Sequence, residues 1–148
     1  MSINNSGNGS RYGANQYKST AVKTASRGQI VIMLYEAAIQ QISRAILAID
    51  KKDVVAKGIA IGKAHDIVNE LVSSLNFEVG GNIGRELEGL YNFVIRQLVA
   101  GNIEHKVGPL QSAKKILDTL LEGWRGAVAQ NELDAAKASR AEREEESG

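Results

Sequence analysis

An all-α fold is predicted, an antiparallel up-down-up-down four-helix bundle with flexible N- and C-terminal tails. Three observations carry it. Four segments between residues 26 and 130 repeat apolar residues at helical spacing, short connections join them, and none shows sustained strand alternation. The first segment opens at Ser26 with Gln29 three positions on, the spacing of a capping box. Its apolar positions recur at Ile30, Met33, Leu34, Ala37, Ala38, Ile42, Ala45, Ile46 and Ile49. The second starts at Asp53, a good N-cap, and aligns Val54, Gly58, Ile61, His65, Val68, Val72 and Leu75 in one row. The third follows Asn82 with Ile83, Leu87, Leu90, Tyr91, Val94, Ile95 and Leu98, and is expected to stop near Gly101, taken as a C′ glycine. The fourth begins at Gly108-Pro109, with the proline expected at the first helical position, and continues through Leu110, Ala113, Leu117, Leu120, Trp124 and Ala127.

The flanks differ from this middle part. Residues 1–25 are rich in Asn, Ser, Gly and Thr, carry Arg11, Lys18 and Lys23 without an acid, and bury too little apolar surface to order themselves. Residues 131–148 have a net charge of −3 and no apolar face beyond Leu133 and a few alanines, so a solvated charged tail is expected. The domain organisation is therefore a flexible segment 1–25, a bundle 26–130 and a tail 131–148.

Composition narrows the chemistry. The 148 residues hold 18 Lys+Arg against 17 Asp+Glu, so nothing suggests nucleic acid, whose recognition relies on clustered cations. Cysteine is absent, which excludes disulfides, thiolate metal sites and cysteine nucleophiles and fits a reducing, cytoplasmic setting. The start Met1-Ser-Ile-Asn-Asn has no basic and apolar leader pattern. The longest aliphatic run, Ile30 to Leu34, is far short of the roughly 20 residues of a membrane helix, so no membrane insertion is expected. A bundle di-metal site needs Glu-x-x-His on two helices, whereas Gly62 precedes His65 and Asn102 precedes His105 at that spacing. His65 reads as a packed histidine and His105 as an exposed turn residue. Gly58-Ile-Ala-Ile-Gly62-Lys63 only faintly resembles a phosphate loop and lies mid-helix. Its glycines are read as a close approach of a neighbouring helix, or as a shallow groove for a visiting one. No nucleophile motif is present, so no enzyme activity, metal or cofactor is expected.

The informative feature is surplus apolar width. Beside its main stripe the first helix carries Val31, Ile32, Ile39 and Leu47, leaving only the narrow polar strip Gln29, Glu36, Gln40, Ser43 and Arg44. A helix of a small bundle normally shows water about half its circumference. A partner helix or a neighbouring segment covers the surplus on this reading. Within the chain the candidate is the N-terminal segment, with Tyr12, Tyr17 and Val22 as its large apolar groups.

The residues Gln16-Tyr17, Val22-Lys23-Thr24-Ala25-Ser26 and Met33-Leu34-Tyr35-Glu36-Ala37-Ala38-Ile39 resemble the opening of the flagellar secretion chaperone FliS family. The resemblance continues through Lys63-Ala64-His65-Asp66-Ile67-Val68, Ser74-Leu75-Asn76, Gly80-Gly81, Leu90-Tyr91 and Leu121…Trp124, covering about residues 16–130. Arg27 stands where the family usually has proline, Gln29 where an acid is common, and Gly62 in place of a larger apolar residue. The resemblance implies a cytoplasmic export chaperone that binds the disordered C-terminal region of flagellin, stops early polymerisation and helps deliver it to the flagellar type III secretion apparatus. It also implies contacts with the export gate and other assembly regulators, and an N-terminal segment that covers a client groove. Tyr17, Val22, Ile32, Met33, Leu34, Tyr35, Ile39, Leu47, Leu90 and Tyr91 are the expected partner-binding positions. A helical adaptor for another flagellar regulator and a self-associating structural bundle use the same apolar stripe and stay open at this point.

Overall fold

The capping box forms as its spacing predicts: the Ser26 hydroxyl accepts from the Gln29 N–H at 3.2 Å, and the Gln29 side chain accepts from the Ser26 N–H at 3.0 Å. From that cap α1 runs over Arg27–Asp50. The structure, a computed structural model, describes residues 26–75 and 81–147. Asp53 starts the second helix, its carboxylate accepting from the Ala56 N–H at 3.0 Å, and α2 spans Val54–Ser73. The turn between them is short because Lys52 takes a left-handed conformation (φ 60°) and the Asp53 N–H returns to the Ala48 carbonyl at 2.8 Å. The third helix, α3, covers Asn82–Glu104, and α4 covers Val107–Ser147.

Helix α1 packs on α2 and α4, and α3 packs on the same two, so the four stand in a closed ring with sequence neighbours side by side. The four-helix bundle is the fold the periodicity predicts. Its core comes from the predicted rows: Tyr35, Ala38, Ile42 and Ala45 of α1, Ala64 and Val68 of α2, Val94 and Leu98 of α3, and Leu110, Ala113 and Leu117 of α4 are all wholly buried. Helix α1 is long and apolar enough to cross a membrane by length and composition. In the bundle its apolar stripe is the centre of that core.

Four details differ from the sequence reading. Helix α3 does not stop at Gly101 but continues to Glu104, and His105 supplies the left-handed cap (φ 55°, ψ 40°). Gly101 is buried instead, with the Leu110 side chain 2.8 Å from where a Cβ would stand, so it serves close packing of α3 on α4. Pro109 is the third residue of α4, not the first, a place still within the four N–H groups that no helix satisfies internally. No atom lies within 4 Å of a Cβ built on Gly58 or Gly62, so no neighbouring helix approaches closely there.

The largest difference is α4 itself. It runs on through residues 131–147, expected as a solvated tail, and every residue there is exposed. The helix is 41 residues long, roughly 60 Å at 1.5 Å per residue, nearly twice the others. Alanine, lysine, arginine and glutamate dominate this stretch, and these hold helix without a buried face. Bonds from Gln130 to Asp134 (3.0 Å) and Arg143 to Ser139 (3.3 Å) add local support. The last tertiary tie is at Glu132, which accepts from the Gln29 side chain at 2.9 Å.

The two kinds of glycine separate experimentally. Gly101→Ala forces a methyl into Leu110, and the overpacking cost of about 1–3 kcal/mol exceeds the helix-propensity gain of about 1 kcal/mol. Gly62→Ala meets open space on an exposed helical face and gains that propensity outright. Denaturant unfolding is expected to show the first variant less stable and the second more stable than the parent.

Candidate functional site

At the end of the bundle where α1 and α3 begin and α2 finishes, an apolar cleft of about 450 Å³ opens. Helix α1 gives it Ile30, Val31 and Leu34, all half-buried, and the end of α2 gives Leu75. Helix α3 contributes Leu87 and Tyr91, and α4 contributes Trp124. Each comes from the edge of its helix's apolar stripe, one step round from the wholly buried positions. The width of α1 noted in the sequence is thus partly spent in the core and partly left on this cleft.

A polar cluster closes the cleft floor. The Tyr35 and Tyr91 hydroxyls meet at 2.5 Å, and the Trp124 indole N–H donates to the Tyr35 oxygen at 3.2 Å. The two rings are tilted at 57° with centroids 6.1 Å apart, a favourable aromatic geometry. The residues come from α1, α3 and α4, so the cluster crosses the bundle diagonal. Burial raises the Tyr35 hydroxyl far above the ordinary tyrosine value, the Tyr91 bond adds to this, and the Trp124 N–H opposes it. Burial also raises Tyr91, while bonds from Tyr35 and Trp124 pull it back.

The predicted binding positions scatter about this geometry. Leu34 and Tyr91 line the cleft, and Tyr35 lies wholly buried behind it. Ile32 and Ile39 are half-buried and pack against the core. Met33 and Leu47 stand on the exposed strip of α1, at 41% and 57% exposure, and Leu90 is 38% exposed on α3. Tyr17 and Val22 lie outside the described residues. Leu75 and Leu87 were legible only as core positions, since nothing in a periodic row tells which member faces a gap between helix ends.

The opposite end carries a second cleft of about 360 Å³, bounded by Ile49, Lys52, Lys57 and His105. Lys57 is 3% exposed, and its ammonium donates to the Asn102 carbonyl at 2.8 Å and to His105 Nδ1 at 2.6 Å. A cation among the last carbonyls of α3 is well placed against that helix's negative end. Lys57 is thus a tie between α2 and α3. His65 is half-buried, with Nδ1 at 3.2 Å from the Asn69 amide. Among the described residues no group of three or more His, Asp or Glu could hold a metal ion.

The sequence profile of the family described as flagellar protein FliS matches residues 10–131, most of the chain and all of the cleft. The chain belongs to the FliS family. It is 36% identical over 107 residues to the flagellar secretion chaperone FliS of Salmonella typhimurium, covering 72% of this chain and 79% of that protein. It is 27% identical over 118 residues to the FliS chaperone of Bacillus subtilis, covering 80% and 87%. The crystal structure of a flagellar chaperone from bacteria superposes with a TM-score of 0.67 at 20% identity, covering 82% of this chain and 98% of that one, which shows the shared fold. FliS proteins are chaperones, a class defined by binding and not by catalysis.

The tyrosine pair gives the stability a definite alkaline dependence. Folding raises the pKa of both hydroxyls above the unfolded value of about 10, so unfolding releases them to ionise. Their contribution is complete below that pH and falls as pH rises beyond it. Urea midpoints are expected to hold up to about pH 9 and to drop toward pH 11. A Tyr35→Phe, Tyr91→Phe double variant is expected to show a shallower drop.

Proposed function

We propose that this FliS protein acts in the cytoplasm by binding the disordered C-terminal region of flagellin, preventing premature polymerisation, and helping to pass it to the flagellar type III secretion apparatus. The open apolar cleft carries the reading, because a FliS chaperone needs a place where a client's apolar side chains leave water. Leu34, Leu75, Leu87 and Trp124 offer such a place. An amphipathic segment that folds as it docks meets apolar walls with one polar spot at the floor. Holding such a segment is equilibrium binding and needs no nucleotide. The contacts must exceed the ordering cost of the client, about 2–5 kcal/mol or more in coupled folding and binding.

Met33, Ile39, Leu47 and Leu90 extend the proposed surface outward from the cleft, so that a long client wraps the bundle. The N-terminal segment with Tyr17 and Val22 joins the bundle at Ser26, next to Arg27 and Gly28 at the cleft margin. On this reading residues 1–25 cover the cleft until flagellin displaces them. The export gate is the proposed second partner, receiving the loaded complex.

Calorimetry with a peptide from the flagellin C-terminal region tests the mode of binding. A large negative heat-capacity change and weak salt dependence are expected, since residues 26–130 hold 12 basic and 11 acidic side chains and present no strong field. Steep salt dependence with a near-zero heat-capacity change overturns apolar docking.

Deleting residues 1–25 tests the cover. The helical circular-dichroism signal and the cooperativity of melting are expected to persist while flagellin affinity changes. Loss of cooperative melting places the segment in the core instead.

A further inference from the structure

The hydroxyl cluster contains three donors and, within itself, room for only two bonds. Trp124 has one N–H, and Tyr35 and Tyr91 have one O–H each. The Trp124 N–H is used on the Tyr35 oxygen, and one tyrosine O–H is used between the hydroxyls. Whichever tyrosine donates there, the other keeps a hydrogen without an acceptor in the cluster. The geometry decides which one. Tyr35 is wholly buried and is not part of the cleft wall, so a spare hydrogen on it would be sealed away from water. Tyr91 is 1% exposed and does form part of that wall. The order that leaves no sealed donor is Trp124 to Tyr35, Tyr35 to Tyr91, and Tyr91 outward.

We infer that the Tyr91 hydroxyl is a recognition group: its spare hydrogen points into the apolar cleft and selects a flagellin segment that places a neutral oxygen there among apolar side chains. This deepens the flagellin-binding reading and rests on it. The oxygen is neutral, because a carboxylate brought among Ile30, Leu34 and Leu87 with one hydroxyl for a partner would lose its hydration uncompensated. Inside a helix the backbone carbonyls are already bonded. The acceptor is therefore a Ser, Thr, Asn or Gln side chain, or a carbonyl of a helix's last turn. In the open cleft water serves the hydroxyl, and a segment without an acceptor strips that water and leaves the donor bare. The cleft then rejects purely apolar segments, a discrimination that hydrophobic walls alone supply poorly.

Two isosteric substitutions in the full chain test this with a synthetic peptide from the flagellin C-terminal region. Tyr35→Phe removes the inner hydroxyl but leaves Tyr91 with a hydrogen to offer. Tyr91→Phe removes the offered hydrogen itself. Both variants are expected to melt earlier than the parent, since each breaks the cluster. Only Tyr91→Phe is expected to lose peptide affinity, by roughly three- to tenfold. Equal affinity losses in the two variants overturn the assignment, because the effect is then structural. Tighter peptide binding by Tyr91→Phe also overturns it, showing either a client with no acceptor or a hydroxyl that holds this chain's own N-terminal segment. A dimer in light scattering that Tyr91→Phe dissociates, with peptide affinity unchanged, assigns the hydroxyl to a second copy and overturns it too. A parent protein indifferent to the peptide, while Leu87→Ala is equally indifferent, defeats the flagellin reading itself.

Discussion

The contact between Tyr35 and Tyr91 governs the organisation of this bundle. Neighbouring helices meet along their apolar rows, but α1 and α3 stand diagonally opposite and share little backbone proximity. Two tyrosines are long enough to meet across that gap, and the Trp124 indole joins them from α4. A hydrogen bond is directional where apolar packing is not, so the cluster fixes the rotation of α1 about its axis. That rotation in turn sets which of α1's many apolar residues enter the core. Tyr35, Ala38, Ile42 and Ala45 go inward, Ile30 and Leu34 are left for the cleft, and Met33 and Leu47 face water.

Much of this architecture was legible in the chain. Helical periodicity located all four helices, and side-chain capping at Ser26 and Asp53 fixed two starts to the residue. Both are local rules, satisfied within one turn. What misled was the reading of single residues whose role is tertiary. Gly101 has the type that ends helices, yet Leu110 needs the space above it. His105 has no sequence mark of a left-handed cap, and it takes that place because the chain must turn there into α4. The continuation of α4 past residue 130 was missed for a different reason. Absence of an apolar face argues against packing, and it says little about helix in a run of alanine and alternating charge.

The candidate site was legible in part. The excess apolar width of α1 marked the right helix, and Leu34 and Tyr91 are where the cleft is. No periodic row could show that three helix ends leave a gap beside Leu75 and Leu87, because that depends on relative helix offsets. Nor could it show Lys57, a charged residue in a helical row, reaching across to the end of α3. Such a lysine is costly to bury alone, and the carbonyl and imidazole acceptors at its tip make the position tolerable.

The placement of α1 bears on how the protein emerges from the ribosome. Helix α1 has the length and hydropathy of a membrane span, and in the finished bundle its cover comes from α2 on one side and α4 on the other. The first neighbour follows after a three-residue turn, but the second begins only at Val107. Synthesis proceeds at about 5–20 residues per second, so several seconds separate the two. Throughout that interval a nascent α1–α2 hairpin shows a long greasy flank to translocation factors and to other growing chains. The speed with which α4 leaves the exit tunnel and closes that flank is therefore a determinant of yield, and slow codons between α3 and α4 would lengthen the exposure.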